Sequence, residues 1–408
     1  MRSGPAAATN PVEPVSYQHF QAWEDIVDAF RALAGADRGG APAVAASREL
    51  VALMGLTHAR RAFDLRPVRA GGRERVVRQA TALEAPFASL LRFTVDGSGG
   101  DRPRVLLIAP LSGHFATLLQ DALRTLLVDH DVYLTDWHNA RDIAVAEGRF
   151  GLDEYVSYLI RFLQAVGPGG HVVAVCQSAV AALAAVALMA EDAHPCQPRT
   201  LTLMAGPVDA RVSPTHANRL AVGQPLEWFA QTMTDTVPAR FAGAGRRVHP
   251  GYVQLGASMA MDAAGHAAAY AGWCSDLMRG DGARARAVAR RYQEHFTTMD
   301  LAAEFYLDTV GKVFQRHALA RGELEVAGRR VDPRAIRRTA LVTIEGQLDA
   351  VCPPGQTSAA HALCASVRPA ARTRHVQPGA GHYDVFAGAL WETQIYPLVR
   401  NATHRPDR

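Results

Sequence analysis

From residue 104 onward, short runs of strand character alternate with segments whose apolar positions recur at helical spacing. The strand-like runs are short, most of them are apolar and β-branched, and they cover 104–110, 131–137, 171–175, 200–209, 339–346 and 372–379. The intervening segments, such as 152–166, place apolar residues on one face of a helix. Strands that alternate with helices in this way predict a mostly parallel central sheet flanked by helices, an α/β fold.

This alternation is interrupted between residues 213 and 300, where the pattern is helical and rich in aromatic residues. We interpret this segment as a helical cap inserted into the α/β core. The core is then divided between residues 17–212, which also hold N-terminal helices, and residues 301–408.

The region before the core has weaker patterns. Residues 17–34 and 47–65 show helical spacing, and 73–95 contains two expected strands followed by a turn signal. Residues 1–16 are rich in proline and alanine, and we expect them to be disordered.

One strand-to-helix junction carries a reactive side chain. The run His171 to Val175 stops at Cys176, and an alanine-rich helical run follows at once. Strand, sharp turn and helix with a nucleophile at the turn is the layout of the nucleophile elbow of α/β-hydrolases. Such a tight turn needs small residues two positions before and two after the nucleophile, and Ala174 and Ser178 meet that need. The pattern therefore favours an α/β-hydrolase with an inserted helical cap and a cysteine nucleophile.

Two alternatives remain at this junction. A free cysteine often packs as a small buried hydrophobe, without any chemical role. Ser178 is a rival nucleophile, but Val180, two residues after it, is too large for an elbow centred there.

A general base and an acid follow in the order that this fold uses, which is nucleophile, acid, histidine. Asp349 lies just after the run 339–346, and His382 lies in the loop after the last strand-like run. Both positions would reach the same edge of the sheet as Cys176. Asp349 could instead cap a helix, Asp209 is an alternative acid, and His382 could be an ordinary loop histidine.

Acyl transfer also needs donors for the developing oxyanion. We expect one from the backbone N–H of Gln177 and the other from Leu111 or Ser112, in a loop that Gly113 lets approach closely. His114 beside this loop would bind substrate or cap a helix.

In the cap, Trp228 and Phe229 are candidate contacts for the substrate, with core packing as the alternative.

Composition limits the remaining possibilities. A net charge of +4 on 408 residues, with no dense basic stripe, argues against nucleic acid as the partner. Five cysteines without a C-x-x-C pair make a disulfide framework or a zinc site unexpected, and no metal is predicted. The sequence shows neither a signal peptide nor a membrane-spanning run, so we expect a cytoplasmic protein whose thiols stay reduced.

At these residues the chain resembles the intracellular polyhydroxyalkanoate (PHB) depolymerases. The resemblance covers most of the chain after residue 100. The matching segments are VLLIAPLSGHFATLL (105–119), HDVYLTDWHNARDI (130–143), AVCQSAVAALAAVALM (174–189), GPVDARVSPT (206–215), EFYLDTV (304–310), EGQLDAVCPPGQTSAAH (345–361) and QPGAGHYDVF (377–386). The family usually has proline after Cys-Gln where this chain has Ser178, and the segment AVCPP after the acid also differs.

The resemblance implies a triad of Cys176, His382 and Asp349 that cleaves the ester bonds of amorphous poly(3-hydroxybutyrate) through an acyl-thioester. It implies association with storage granules in the cytoplasm and no bound cofactor, with water or CoA as the acyl acceptor. The alternatives are a synthase-like acyltransferase, whose elbow normally has glycines on both sides of the cysteine, or another short-chain ester or thioester hydrolase of the same fold. A non-catalytic protein of the granule surface is a further alternative.

Overall fold

The computed structural model describes residues 60–97, 102–261 and 263–405. The expected disordered tail at 1–16, the helix at 17–34 and most of the helical stretch at 47–65 lie outside these described residues. The described part of that last stretch, 60–65, forms no helix.

The described residues form fifteen strands. They are β1 (Val68–Ala70), β2 (Arg73–Arg75), β3 (Val77–Ala85), β4 (Ala88–Val95), β5 (Arg104–Ile108), β6 (Asp131–Trp137), β7 (His171–Val175), β8 (Thr200–Met204), β9 (Asp235–Thr236), β10 (Arg247–His249), β11 (Leu301–Ala302), β12 (Glu325–Val326), β13 (Arg329–Arg330), β14 (Ala340–Gly346) and β15 (Arg372–Gln377).

Eight of these strands form one sheet in the order β15-β14-β8-β7-β5-β6-β4-β3. The strands from β15 to β6 are mutually parallel, whereas β4 runs antiparallel to both β6 and β3. The elbow strand β7 lies between β5 and β8, with Val173 opposite Leu107 on one side and Thr202 on the other. This order is that of the α/β-hydrolase fold, as the sequence predicts.

Helices cover the sheet and fill the long connection between β8 and β14. The α-helices are α1 (Gln120–Leu126), α2 (Leu152–Val166), α3 (Ser178–Glu191), α4 (His216–Gly223), α5 (Leu226–Thr232), α6 (Gly251–Met261), α7 (Ala263–Met278), α8 (Gly282–His295), α9 (Ala303–Asp308), α10 (Ala318–Arg321), α11 (Ala360–Leu363), α12 (Gly388–Leu390) and α13 (Tyr396–Thr403). Short 3₁₀ turns cover Ala116–Leu119, Ala140–Asp142, Val145–Glu147, Pro333–Ala335, Pro369–Ala371 and Tyr383–Val385, and π-helical turns cover Thr309–Gln315 and Trp391–Ile395.

The helix after the elbow, α3, lies at the centre of the core. Its residues from Ser178 to Met189 are all buried, which fits a helix that is apolar on every side. The alanines let it pack closely against α2 on one side and the sheet on the other. The N-terminus of α3 is therefore held in a fixed position at the edge of the sheet.

The segment predicted as a cap contains α4 to α8 together with β9 and β10. Strand β10 also pairs with β11, so the predicted boundary at residue 300 falls inside a small three-stranded sheet. Two aromatic clusters stabilise this part of the chain, one around Trp273, Tyr292 and Phe296 and the other around Phe229 and Val310. The cap limits at 213 and 300 stay a prediction.

No helix in the described part of the chain is both long and apolar enough to cross a membrane.

Candidate active site

Cys176 occupies a strained turn between β7 and α3. Its φ of +57° lies in the left-handed region, which costs a residue other than glycine about 1–3 kcal/mol. The turn is held because the Cys176 N–H donates to the Met204 carbonyl at 2.7 Å. The thiol is half-buried, so it can be approached from outside the core. Strain of this kind, at a residue with reactive chemistry, is typical of a functional site.

Ser178, the rival nucleophile, is fully buried behind this turn. Its hydroxyl donates to backbone carbonyls, that of Val175 at 2.9 Å and that of Ile108 at 3.3 Å. The hydroxyl is therefore engaged in holding the elbow to the neighbouring strand.

Gly206 allows the elbow to pack against the loop after β8. A Cβ atom at this position would lie 2.2 Å from the Ala179 Cβ and 2.5 Å from the Cys176 carbonyl oxygen. Real Cβ atoms do not approach other atoms this closely, so any larger residue would displace the nucleophile. Sequence reasoning missed this residue, because the contact joins positions that are about thirty residues apart in the chain.

His382 connects the thiol to a carboxylate. Its Nε2 lies 3.2 Å from Cys176 Sγ, and its Nδ1 lies 2.8 Å from Asp349 Oδ2. These distances place the imidazole within hydrogen-bond reach of both groups. With these contacts the imidazole can remove the thiol proton, and the carboxylate can stabilise the imidazolium that forms.

The second oxygen of Asp349 is used to order the loop. Oδ1 accepts hydrogen bonds from the N–H groups of Val351 and Cys352, both at 2.8 Å. Asp349 therefore caps a turn with one oxygen and holds His382 with the other. The alternative acid, Asp209, is paired instead with Arg211 at 2.8 Å, and this guanidinium lowers the pKa of the Asp209 carboxyl.

The site is sealed from solvent on its acid side. The side chain of Asp349 is fully buried, and that of His382 is 8% exposed. Burial alone would lower the pKa of His382, but the charges of Cys176 and Asp349 outweigh it and raise the pKa to about 10. The arrangement therefore favours the protonated imidazole of His382.

Two further residues at the end of β14 shape the segments around the site, Gly346 toward the histidine loop and Glu345 toward the segment after the acid loop. At Gly346 a Cβ would lie 2.6 Å from the Ala380 carbonyl oxygen, so only glycine lets the histidine loop cross the end of β14. Glu345 is buried, and its Oε1 accepts three backbone N–H groups, from Gly355, Thr357 and Ser358. Both residues were missed from the sequence, since their partners lie in loops whose course is set by the whole sheet.

The expected oxyanion donors lie on two segments beside the thiol. Gln177 is at the N-terminus of α3, where the first amides have no acceptor within the helix. Its side-chain Nε2 donates to Thr309 Oγ1 at 3.1 Å, at the start of a π-helical turn. Leu111 is buried and Ser112 is half-buried in the loop after β5. The positive φ of +89° at Gly113 turns this loop, and the Gly113 carbonyl accepts from Met299 N at 2.9 Å.

The three predicted substrate contacts are placed differently. His114 is buried, and its backbone pairs with Thr298. Phe229 is buried in a cluster with Ala221 and Val310, and Trp228 packs against it with ring centroids 5.0 Å apart. Both aromatics therefore lie behind the turn that holds Gln177, and their contact with substrate stays a prediction.

Among the described residues, no group of three or more histidine, cysteine, aspartate or glutamate side chains could hold a metal ion.

Comparison with known proteins identifies the family. Residues 205–407 match the family model described as the C-terminus of PHB depolymerase. The chain belongs to the PHB depolymerase family. The matched range includes Asp349 and His382. Cys176 lies upstream of this range, and the fold brings its Sγ within hydrogen-bond distance of His382. As a PHB depolymerase family member with the α/β-hydrolase fold, the chain is an ester hydrolase.

Solved structures show similarity at low identity. A hydrolase from Pseudomonas aeruginosa is 15% identical, covering 80% of this chain and 97% of that one with a TM-score of 0.44. Naproxen esterase (carboxylesterase NP) from Bacillus subtilis is 11% identical, covering 89% of this chain and 99% of that one with a TM-score of 0.41. No curated protein matches the sequence.

The role of Gly206 can be tested with Gly206→Ala. We expect the rate of ester hydrolysis to fall by at least about 100-fold, because a displacement of the nucleophile by about 1 Å lowers the rate by that factor. Gly223→Ala is the control, since a Cβ there meets nothing within 4 Å. Steady-state kinetics with a short p-nitrophenyl ester measure both variants. Full activity of Gly206→Ala would contradict the close contact.

The raised pKa of His382 predicts a pH dependence of stability. Because the folded-state pKa of about 10 exceeds the ordinary value of 6.5, proton binding stabilises the fold. This contribution is complete below pH 6.5 and is lost as the pH rises through about 10. Urea unfolding of the wild type and His382→Gln should show their largest difference in free energy at low pH, with the gap narrowing toward pH 10. A gap that widens with pH would contradict the assignment.

Proposed function

We propose that this ester hydrolase cleaves poly(3-hydroxybutyrate) through an acyl-thioester on Cys176, with His382 as the proton carrier and Asp349 as its anchor. The observation that carries the proposal is the continuous contact from Cys176 Sγ through both ring nitrogens of His382 to the buried Asp349 carboxylate. Membership of the PHB depolymerase family supports the choice of polyester.

In the acylation step the proton of Cys176 is held by His382 Nε2, and the thiolate attacks the ester carbonyl carbon. The new C–S bond forms as the carbonyl electron pair moves onto oxygen, giving a tetrahedral oxyanion. We assign two backbone N–H groups as its donors. One belongs to Gln177, at the N-terminus of α3, where the helix dipole adds to the attraction. The other belongs to Leu111 or Ser112, in the loop after β5. Collapse breaks the C–O bond, and the leaving alkoxide takes the proton from His382.

In the deacylation step His382 acts in the opposite sense. It accepts a proton from a water molecule, whose oxygen attacks the thioester carbonyl. The second tetrahedral oxyanion collapses with cleavage of the C–S bond, and the thiolate and imidazolium are restored. We propose water as the acceptor, with CoA thiol as the alternative that the assay below distinguishes.

The partner in this proposal is the surface of an amorphous polyester granule in the cytoplasm. A synthase-like transferase is less well supported, because the elbow is flanked by Ala174 and Ser178 where such enzymes normally have glycines. No bound cofactor takes part in any step.

The proposal is tested by product release from amorphous poly(3-hydroxybutyrate) granules. Cys176→Ala should reduce release of 3-hydroxybutyrate or its oligomers to background. Ser178→Ala should retain most of the activity, because the Ser178 hydroxyl is directed at backbone carbonyls and not at substrate, and the Cys176 N–H bond to Met204 still holds the turn. Cys274→Ala is the matched control, since Cys274 is an exposed free thiol.

Different results identify the alternatives. Release that continues undiminished in Cys176→Ala would refute the thiol mechanism. Product release that requires added CoA and yields 3-hydroxybutyryl-CoA would replace water by CoA as acceptor, and polymer growth from 3-hydroxybutyryl-CoA would indicate a synthase. Binding to granules without any ester cleavage by the wild type would indicate a non-catalytic surface protein.

A further inference from the structure

A buried threonine hydroxyl lies between the segment that holds the elbow and the loop that carries the acid. Thr357 is fully buried in the turn that follows the acid loop. Its Oγ1 accepts a hydrogen bond from the N–H of Gly206 at 2.8 Å, and 151 positions of the sequence separate the two residues. This bond therefore fastens the segment after β8 to the segment after β14.

The Gly206 end of this bond reaches the nucleophile. The Cys176 N–H donates to the Met204 carbonyl, and a Cβ at Gly206 would lie 2.5 Å from the Cys176 carbonyl oxygen. Residues 204–206 thus contact both backbone polar groups of Cys176. Between them Ala205 has a φ of +49°, in the left-handed region, so this segment needs outside contacts to keep its course. A shift of the segment would move the thiol.

The other side of the threonine hydroxyl faces the acid loop. Thr357 Oγ1 lies 3.8 Å from Cys352 Sγ, within hydrogen-bond distance for sulfur. The backbone N–H of Cys352 donates to Asp349 Oδ1 at 2.8 Å, and Asp349 Oδ2 holds His382. Because the hydroxyl oxygen accepts from Gly206, its proton can be directed at the Cys352 sulfur. Thr357 therefore contacts a support of the thiol and a support of the carboxylate.

A buried carboxylate fixes the position of Thr357. Glu345 Oε1 accepts the backbone N–H of Thr357 at 2.9 Å, together with those of Gly355 at 2.8 Å and Ser358 at 3.0 Å. Hydrogen bonds to an ionised acceptor are stronger than neutral ones. Since Glu345 belongs to β14, inside the parallel sheet, the threonine is held relative to the sheet itself.

We propose that Thr357, oriented by Glu345, is a positioning residue that sets the contact between Cys176 Sγ and His382 Nε2. This distance of 3.2 Å depends on two segments at once, because the thiol belongs to the elbow and the histidine is anchored by the acid loop. The Thr357 hydroxyl bonds to one segment and faces the other. The inference rests on the proposed role of Cys176, and it is independent of which ester is cleaved.

The test is Thr357→Val, which keeps the shape of the side chain and leaves the Gly206 N–H without its acceptor. With p-nitrophenyl butyrate we expect kcat and kcat/KM to fall together by on the order of 10-fold, because a displacement of the thiol well below 1 Å lowers the rate by less than the roughly 100-fold that 1 Å does. Thr357→Ser keeps the hydroxyl and should recover most of the wild-type kcat. Glu345→Gln keeps the size but removes the charge, and it should lower kcat in the same direction.

Thr343→Val is the matched control. Thr343 is also fully buried and also belongs to β14, but its hydroxyl lies 2.9 Å from Nε2 of His361, in α11. Both valine variants lose one buried side-chain hydrogen bond, so both should unfold at a lower temperature than the wild type. Thr343→Val should nevertheless keep the wild-type kcat.

The reactivity of the thiol gives a readout that a purely structural role would not change. Iodoacetamide reacts with the thiolate, which contact with the imidazole promotes, and peptide mass mapping measures its rate at each cysteine. In folded Thr357→Val the rate constant at Cys176 should fall by about the same factor as kcat. The exposed thiol of Cys274 should react at its wild-type rate in the same sample.

Several results would overturn the inference. They are wild-type kcat in either Thr357→Val or Glu345→Gln, a lowered kcat with an unchanged alkylation rate at Cys176, a loss that Thr357→Ser does not restore, or an equal loss in Thr343→Val. Failure of the proposed function gives a different result, since ester hydrolysis would then survive Cys176→Ala whatever the effect of Thr357→Val.

Discussion

The close approach of Gly206 to the carbonyl of Cys176 is the constraint on which the site depends. The positive φ of Cys176 turns its side chain out of the core, and this conformation is unfavourable in isolation. It persists because the turn is enclosed by β8, by the fully buried α3 and by the loop that starts at Gly206. Packing in the core thus keeps Cys176 in a backbone conformation that would be unfavourable without it.

The electrostatics of the site follow from that geometry. Once Cys176 is fixed, a histidine on one loop and a carboxylate on another complete a buried arrangement of charges. Asp349 is held by backbone amides and His382 by Asp349, so the imidazole has little freedom to turn away from the sulfur. Fixed partners of this kind reduce the reorganisation that accompanies proton transfer and acyl transfer.

The sequence was sufficient for the order of the core strands and for the three residues that the structure brings together at the candidate site. Apolar runs located the sheet strands β5, β6, β7, β8, β14 and β15, and the ends of three strands located Cys176, Asp349 and His382. Helix α2 was also predicted with the limits that the structure has, because its apolar spacing is regular. These features depend on local pattern and on the known topology of alternating strands and helices.

Other features depend on contacts between distant parts of the chain and were not predictable. Gly206 and Gly346 look like ordinary loop glycines until the opposing carbonyls are placed. Tyr155 looks like one core position of an amphipathic helix, and only the structure shows that its hydroxyl finds no hydrogen-bond partner among the described residues. The segment from 383 to 395 is divided into 3₁₀, α and π turns, for which periodicity has no signal.

The central claim is that a covalent acyl group passes through Cys176. The most direct measurement is mass spectrometry of the protein after acid quenching during turnover of a short 3-hydroxybutyrate oligomer, followed by peptide mapping. The account predicts a 3-hydroxybutyryl group on the peptide that contains Cys176, lost on treatment with hydroxylamine. An acyl group mapped to the Ser178 hydroxyl, or hydrolysis at full rate with no acylated peptide, would contradict it.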